Sequence, residues 1–195
     1  MNGWIILDKP VGLGSTQAVA AVKRVCREAG LGKVKVGHGG TLDPLASGVL
    51  PIALGEATKL CGRMLDASKV YEFTVQFGTE TAGLDAEGEV VATSDVRPTL
   101  AEVEAVLPRF TGAIEQVPPA YSAIKIDGQR AYDRARAGET VEMKARAVTI
   151  HSLRHAGLDP ASIAAAEEWT PDQVRGDEAE EARLASITLT AHVSK

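Results

Sequence analysis

The sequence predicts an α+β protein, and three observations lead to that class. Several short segments alternate apolar and polar residues, as half-buried strands require. Segments with helical spacing of apolar residues lie irregularly between them, and the links have hairpin length rather than the length of a βαβ crossover. Hydrophobic residues make up 45 % of the 195 residues and aromatics only 4 %. We therefore expect a core built mainly from Val, Leu, Ile and Ala.

The N-terminal part is expected to contain, in order, a strand at 3–7, a helix at 16–29, a glycine-rich loop at 37–44, a strand at 49–54 and a helix at 56–65. Ser15 is the expected N-cap of the first helix, and Gly30 is placed to end it. The apolar stripe of this helix is predicted to comprise Val19, Val22, Val25, Cys26 and Ala29. On that stripe, Cys26 is a small core residue rather than a reactive thiol.

The rest of the chain is expected to contain strands at 71–77, 89–92, 121–126, 141–144, 147–153 and 187–193, and helices at 99–107 and 129–137. Thr99 and Glu102 have the spacing of a capping box. Residues 157–183 are rich in Ala and Glu without a strong apolar period, which predicts a surface insertion. The closing strand runs to Lys195 without a turn or cap, which suggests a chain that was cut or that continues elsewhere.

Charge is distributed unevenly along the chain, whose net charge is −5. Residues 1–63 carry 8 Lys and Arg against 4 Asp and Glu, and residues 120–155 carry 7 against 4. The segments 64–119 and 156–195 are acidic. If the two basic segments meet in the fold, they form a surface that faces phosphate groups. Ordinary solvated helix faces are the alternative explanation of the same charges.

The sequence shows neither a membrane span nor a secretory signal. It has no run of about 18 apolar residues, and the start Met1-Asn2-Gly3-Trp4 lacks the basic and then apolar layout of a signal peptide. The two cysteines, Cys26 and Cys61, do not have the paired C-x-x-C spacing. These features predict a reduced cytoplasmic protein that does not cross a membrane.

Three short patterns could carry chemistry but have simpler interpretations. Gly12-Leu13-Gly14-Ser15-Thr16-Gln17 follows a strand like a dinucleotide-binding turn, yet Gln replaces its third glycine, so a flexible entry to the helix is favoured. His151 and His155 have metal-ligand spacing only on a helix, and their segment is predicted to be a strand. Ser47 lacks the leading glycine of a nucleophile elbow. No metal site is therefore predicted.

The glycine-rich loop Gly37–Pro44 is a further candidate, a possible active site. Glycines on both sides of His38 leave its imidazole free of neighbouring side chains. Asp43 precedes Pro44, which biases it toward extended backbone. Taken alone, such a loop more often holds a turn carboxylate and an exposed imidazole than a reactive pair.

The sequence resembles the TruB family of pseudouridine synthases. The segment from Gly37 to Pro51, Gly-His-Gly-Gly-Thr-Leu-Asp-Pro-Leu-Ala-Ser-Gly-Val-Leu-Pro, is similar to the catalytic-aspartate motif of that family, and Gly55-Glu56-Ala57-Thr58-Lys59 extends it. Further ordered matches are Leu7-Asp8-Lys9-Pro10 with Gly12, Lys69-Val70-Tyr71, Thr81 with Asp85 and Gly88, and Gln116-Val117-Pro118-Pro119-Ala120-Tyr121-Ser122-Ala123-Ile124-Lys125 followed by Gly128 and Tyr132. The resemblance covers residues 1–155 and resumes at about 184–195.

The resemblance implies a pseudouridine synthase fold over residues 1–195, a mixed, largely antiparallel sheet flanked by helices and loops. It implies isomerisation of the uridine at position 55 in the T loop of tRNA, without a metal or cofactor. Asp43 matches the catalytic aspartate, His38 the residue that fills the space of the flipped base, and Tyr71 the aromatic that stacks on the uracil. The other residues expected beside the substrate are Lys9, Gly40 and Leu42.

The resemblance also implies an RNA-contacting insertion at about 121–148. Its expected phosphate contacts are Lys125, Arg130, Arg134, Arg136, Lys144 and Arg146. In the family, a strand ending in Ser-Lys continues into Gly-Thr-Tyr-Ile-Arg, whose arginine pairs with the catalytic aspartate. This sequence stops at Ser194-Lys195, so Asp43 is expected to be held less firmly in this chain alone.

The implied partner is the T arm of tRNA, bound by a monomer without an obligatory protein partner. The main alternative is an RNA-binding or tRNA-folding module that lacks activity because the C-terminal catalytic strand is missing. A guide-RNA-dependent pseudouridine synthase subunit and a nucleotide-binding oxidoreductase are more distant alternatives.

Overall fold

The computed structural model describes residues 1–119, 125, 126, 128–131, 134, 143–157 and 182–194. The chain divides into two compact units, one formed by Met1–Ala67 and the other by Ser68–Ser194. All the strand pairs within the described residues are antiparallel. The α+β class predicted from the sequence is confirmed.

The first unit is a three-stranded sheet with one long helix. Its elements are β1 (Gly3–Lys9), α1 (Ser15–Glu28), β2 (Val36–His38), β3 (Gly48–Leu54), a 3-10 turn (Gly55–Leu60) and α2 (Cys61–Asp66). The strand order is β1-β3-β2. In the β1–β3 register Gly3 lies opposite Leu54 and Lys9 lies opposite Gly48. Both ends of the loop that joins β2 to β3 are therefore anchored in one sheet.

The core of the first unit lies between β3 and α1. Alternate residues of β3 (Leu50, Ile52 and Leu54) are at most 2 % exposed and cluster with Ala18 and Cys26 of α1. Removing a leucine or isoleucine side chain from water contributes about 1.5–3 kcal/mol. This apolar contact is what holds α1 against the sheet, and with it the segment that leads into the helix.

The second unit contains a four-stranded sheet with the order β4-β11-β10-β7. Its elements are β4 (Lys69–Gln76), β5 (Thr79–Thr81), β6 (Val90–Thr93), α3 (Leu100–Val106), a 3-10 turn (Leu107–Phe110), β7 (Gly112–Gln116), β8 (Lys125–Ile126), β9 (Gln129–Arg130), β10 (Arg146–His155) and β11 (Ser186–Val193). The predicted closing strand is confirmed as β11, with Ile187, Leu189 and Ala191 buried. Val103 of α3 packs into the same apolar cluster.

The predicted capping box of α3 is also confirmed. The Glu102 N–H donates to Thr99 Oγ1 (3.2 Å), and the Thr99 N–H donates to Glu102 Oε2 (2.8 Å). The backbone hydrogen bond from Thr99, followed by the nearby guanidinium of Arg183, lowers the pKa of Glu102 below its ordinary value. The carboxylate therefore stays ionised where it offsets the positive end of the helix.

Some local predictions in the first unit are wrong. The N-cap of α1 is Gly14, not Ser15, which is the first helical residue. Val25 is 59 % exposed, so it does not belong to the buried stripe. The segment predicted as one helix at 56–65 is a 3-10 turn followed by α2. A local sequence pattern could not predict these details, because they depend on how each helix packs against the sheet.

The second unit also differs locally from the predictions. Gln129–Arg130 is β9 rather than the start of a helix, because Gly128 at φ +86° closes a hairpin with Lys125–Ile126. Residues 143 and 144 have no regular structure, which corrects the strand predicted at 141–144. Strand β7 was not predicted. Most of the predicted insertions at 121–148 and 157–183 lies outside the described residues. None of the described helices has the length and apolar character that a membrane crossing requires.

Candidate active-site loop

The candidate site is the loop between β2 and β3, which carries Asp43. His38 pairs with Ile52 at the end of β2. The Gly39 N–H donates to the Pro51 carbonyl (2.8 Å), which extends that pairing by one residue. At the other end, Gly48 enters β3 at φ +126°, a conformation that glycine adopts without strain. The loop therefore leaves and re-enters the sheet at fixed points.

Asp43 lies on a tight turn with its side chain exposed. The Ala46 N–H donates to the Asp43 carbonyl (3.1 Å). The Leu45 N–H donates to Asp43 Oδ1 (2.9 Å), which makes an Asx turn. No donor to Oδ2 is found in the described part of the chain. One carboxylate oxygen is thus held by the turn, while the side chain as a whole is exposed.

The backbone around Asp43 is held by the segment that leads into α1. The Gly12 N–H donates to the Pro44 carbonyl (2.7 Å). The Ser15 hydroxyl donates to the Leu42 carbonyl and accepts from the Leu42 N–H, both at 3.0 Å. Residues on both sides of Asp43 are therefore bound to the same short segment, although 27 positions separate Ser15 from Leu42.

Lys9 lies under this segment and is fully buried, at 0 % exposure. Its Nζ donates to the carbonyls of Pro10 (2.9 Å) and Leu13 (2.7 Å). A buried ammonium requires such acceptors because its transfer out of water is costly. Both of these bonds hold the chain between β1 and α1. This geometry favours a supporting role for Lys9 over direct contact with an RNA phosphate.

The other predicted substrate-binding residues of the first unit differ in how they are placed. His38 is partly exposed, and its buried Nδ1 has no hydrogen-bond partner within the described residues. Gly40 is partly exposed, and a Cβ at this position would have open space around it. The Leu42 side chain packs against the core of the first unit. His38 and Gly40 are therefore the residues near Asp43 that remain available to a ligand.

Gly39→Ala is expected to reduce the free energy of unfolding by about 1–3 kcal/mol. An added Cβ would lie 2.6 Å from Met64 Cβ and 3.3 Å from Pro51 Cγ, so the loop or α2 must shift. Urea denaturation followed by far-UV circular dichroism measures the loss. Gly40→Ala is the matched control, because its Cβ meets nothing within 4 Å. Equal stability of the two variants would show that the loop packs differently in solution.

The remaining predicted site residues belong to the second unit. Tyr71 lies in β4 opposite Ala191 and is 46 % exposed. Arg146 is exposed and donates through Nε to Gln116 Oε1 (2.9 Å). Lys144 is exposed and Arg134 is partly buried. Lys125 and Arg130 lie in the β8–β9 hairpin. Arg136 lies outside the described residues.

The two histidines with metal-ligand spacing contact different partners. Both lie on β10, as predicted, and a register shift occurs between Ile150 and Ser152. The His151 ring contacts the His192 ring at a centroid distance of 4.8 Å. His155 Nε2 is 3.1 Å from a Glu104 carboxylate oxygen. Within the described residues, no cluster of three or more His, Cys, Asp or Glu is placed to hold a metal ion.

The pattern at Gly12–Gln17 predicts a flexible helix entry with Ser15 as a cap. Gly12 also belongs to a segment that resembles the family, but the contacts of Gly12 and Ser15 with the Asp43 loop were not predicted. The signal that could have identified them is the pair of glycines before a serine. Gly12 at φ +86° allows the chain to bend toward the loop. The partner 27 residues away is not visible in the local pattern.

Comparison with protein families places this fold and loop in a known class. The family model described as "TruB family pseudouridylate synthase (N terminal domain)" matches residues 27–168, which include Asp43 and the loop around it. The chain therefore belongs to the TruB family of pseudouridylate synthases.

Similar curated proteins carry the name tRNA pseudouridine synthase B. The relative from Novosphingobium aromaticivorans is 64 % identical over 195 residues, which is 100 % of this chain and 58 % of that protein. The relative from Zymomonas mobilis is 68 % identical over 153 residues, 78 % of this chain and 50 % of that protein. The relative from Brucella ovis is 56 % identical over 161 residues, 83 % and 48 % respectively. The chain thus spans about half the length of these relatives.

Solved structures with the same fold support this assignment. One is described as a crystal structure of a Cbf5-Nop10-Gar1 complex, with a TM-score of 0.60 and 25 % identity over 98 % of this chain and 39 % of that chain. Another is an H/ACA RNP bound to a substrate RNA containing 2'-deoxyuridine, with a TM-score of 0.57 and 21 % identity over 98 % of this chain and 38 % of that chain. The second likeness shows the fold alone.

Proposed function

We propose that the protein isomerises uridine to pseudouridine at position 55 in the T loop of tRNA, with Asp43 as the catalytic carboxylate. The observation that carries this function is the exposed Asp43 side chain on a loop with fixed ends, within the segment that the family model matches. The relatives named tRNA pseudouridine synthase B support the choice of tRNA as substrate.

The reaction breaks the N-glycosidic bond of the uridine, rotates the uracil and joins its carbon 5 to ribose C1′. The proton on carbon 5 leaves to water once the new bond has formed, and the freed N1 of the uracil takes up a proton, so the product is an isomer of the substrate. The target base has to leave its stack, at a cost of about a few kcal/mol. Asp43 either attacks C1′ or removes the C2′ proton, and both routes need an ionised carboxylate beside the sugar. The exposed side chain of Asp43 supports this role.

The other proposed site residues would bind the substrate without transferring protons. His38 would occupy the space that the flipped base leaves in the RNA, which its partial exposure at the end of β2 allows. Tyr71 would stack on the flipped uracil, because π-stacking is favourable for any base. Gly40 would admit the RNA backbone where no side chain obstructs it. Leu42 and Lys9 would support the loop from beneath.

The basic residues of the second unit would contact phosphates of the T arm. Lys144 and Arg146 are exposed, as such contacts require. The remaining proposed contacts are Lys125, Arg130, Arg134 and Arg136. We assign them to an RNA-contacting insertion at about 121–148, and 157–183 to a surface insertion, within one catalytic domain. The protein would act in the cytoplasm as a monomer, without a metal, cofactor or obligatory protein partner.

The catalytic aspartate would need an arginine that this sequence does not contain at the matching place. The family pattern continues from Ser-Lys into Gly-Thr-Tyr-Ile-Arg, and the relatives are about twice as long as the part that they share with this chain. A guanidinium paired with Asp43 would hold its carboxylate in place by two parallel hydrogen bonds. We therefore propose that full activity requires that segment.

The experiment is a tritium-release assay on a T-arm stem-loop RNA with [5-³H]uridine only at the target position. The chain is assayed alone and fused after Lys195 to the family sequence from Gly-Thr-Tyr-Ile-Arg onward. We expect the fusion to release tritium to water and the chain alone to release far less. An RNA labelled only at a stem uridine is the control. No release from the fusion at any RNA concentration would contradict the proposed function.

The second candidate is an RNA-binding or tRNA-folding module that acts without catalysis. It is favoured by the exposed Lys144 and Arg146, because phosphate contacts would serve binding without catalysis equally well. Binding of the T-arm RNA by the chain alone, with an affinity unchanged by Asp43→Asn and no tritium release from the fusion, would support this module over the enzyme.

A further inference from the structure

Ser15 occupies an unusual place between α1 and the Asp43 loop. It is 5 % exposed and is the first residue of α1. Its hydroxyl makes two hydrogen bonds to the same residue, Leu42: it donates to the Leu42 carbonyl and accepts from the Leu42 N–H, both at 3.0 Å. The accepting carbonyl belongs to the peptide group that joins Leu42 to Asp43. The orientation of that peptide group fixes the position of the Asp43 Cα and therefore the direction of its side chain.

The hydroxyl is not needed to cap α1. The N-cap is Gly14, whose N–H donates to the Gln17 side-chain oxygen at 2.9 Å. The Ser15 hydroxyl therefore does not make the capping hydrogen bond that a serine usually makes at a helix N-terminus. Its two bonds instead satisfy both backbone groups of a loop residue 27 positions along the chain. Without them, these groups would lose their partner in a part-buried position.

A second bond holds the other side of the aspartate. The Gly12 N–H donates to the Pro44 carbonyl at 2.7 Å, so the residues before and after Asp43 are both tied to the segment 12–15. Lys9 in turn holds that segment through the Leu13 carbonyl at 2.7 Å. The anchor is thus connected to a buried residue of β1, and the loop cannot shift without breaking hydrogen bonds.

We propose that Ser15 is a positioning residue for Asp43, acting through the Leu42–Asp43 peptide. This role deepens the proposed function and rests on it. Catalytic groups must be held within about 0.5 Å of their productive position, and a displacement of about 1 Å costs on the order of 10²-fold in rate. The Asx turn fixes the carboxylate relative to its own backbone. Ser15 fixes that backbone relative to the core.

The first test measures the anchor without any reaction. In Ser15→Ala we expect the Leu42 amide to exchange its hydrogen at least about tenfold faster than in the unchanged chain, because its acceptor is gone. Amides of the core strand β3 keep their protection if the variant is folded. Thr16→Ala is the matched control, since Thr16 is the next residue and is exposed. Unchanged exchange at Leu42 in Ser15→Ala would overturn the positioning role.

The second test separates positioning from stability by steady-state kinetics of the fusion on T-arm RNA. Ser15→Ala is expected to lower kcat by about 10–100-fold and to leave KM within about twofold, because binding surfaces are intact while the carboxylate is displaced. Ser15→Cys is the second variant, nearly equal in size but a weak hydrogen-bonding group. It should show the same loss of kcat even if Ser15→Ala folds poorly. Thr16→Ala should retain its kcat.

The outcomes distinguish the two levels of inference. A full kcat in folded Ser15→Ala or Ser15→Cys would overturn the positioning role while leaving the proposed function intact. An inactive unchanged fusion would overturn the proposed function and, with it, the catalytic role of Ser15. The anchoring contact itself would then still be decided by the hydrogen exchange of Leu42.

Discussion

Asp43→Asn is expected to lower the rate of pseudouridine formation by about 10²–10⁴-fold and to leave the fold unchanged. The amide keeps an oxygen that can accept from the Leu45 N–H, so the Asx turn survives. It cannot act as an anionic nucleophile or base at the ribose. Because the side chain is exposed, the free energy of unfolding should change by less than about 0.5 kcal/mol. Tritium release under single-turnover conditions measures the rate.

Asp95→Asn is the control for this substitution. Asp95 is also an exposed aspartate and lies outside the helices and strands of the second unit. It belongs to none of the segments that resemble the family motifs. We expect the Asp95→Asn fusion to react at the unchanged rate. Activity of Asp43→Asn equal to that of Asp95→Asn would exclude Asp43 as the catalytic carboxylate.

Lys9→Glu is expected to have the largest effect on stability, a loss of about 3–5 kcal/mol. Lys9 is 0 % exposed, and its ammonium donates to two carbonyl oxygens. A carboxylate in its place would be a buried charge that faces acceptors instead of donors. Since a domain has only about 5–15 kcal/mol of stability, the first unit should be largely unfolded in mild urea. Far-UV circular dichroism during urea titration measures the loss.

Lys33→Glu reverses the same charge at an exposed position of the first unit. It should change the free energy of unfolding by less than about 0.5 kcal/mol. The comparison also tests what Lys9 does. If Lys9 contacted RNA phosphates directly, Lys9→Glu would weaken RNA binding without unfolding the protein. Equal stability of the two variants would therefore contradict the supporting role assigned here.

The regular elements were predictable where one face of the element is continuously buried. The helix α1 and the strands β3 and β11 were predicted within one or two residues, because their apolar residues follow helical or alternating spacing. The pairing of Lys125–Ile126 with Gln129–Arg130 was not predicted, although an Asp-Gly pair in the sequence between two such segments is a recognised hairpin signal. Strand β7 has a single large apolar residue, Ile114, and exists through its pairing with β10. A strand that forms mainly by pairing with a distant segment is difficult to predict from its own sequence.

The position of the candidate site was predictable, but its construction was not. The glycine-rich loop and Asp43 follow from the motif at 37–51, and the structure places that loop between two strands of one sheet. Ser15 was taken for a helix cap, because a serine before an apolar stripe usually has that role. Its actual hydrogen-bond partner is Leu42, which lies beside the start of α1 only because the chain after β2 passes close to that helix. That proximity arises when the sheet is folded.

By itself, the sequence determined the α+β class and the order of the main elements, and it indicated Asp43 as the candidate catalytic residue. These depend on local spacing and on a contiguous motif, which are properties of neighbouring residues. Only the tertiary structure decided that Lys9 is buried, that Gly39 has no room for a side chain and that Ser15 holds Leu42. The physical reason is that burial and hydrogen-bond partners are set by contacts between segments far apart in the chain, which form only when the strands pair in register.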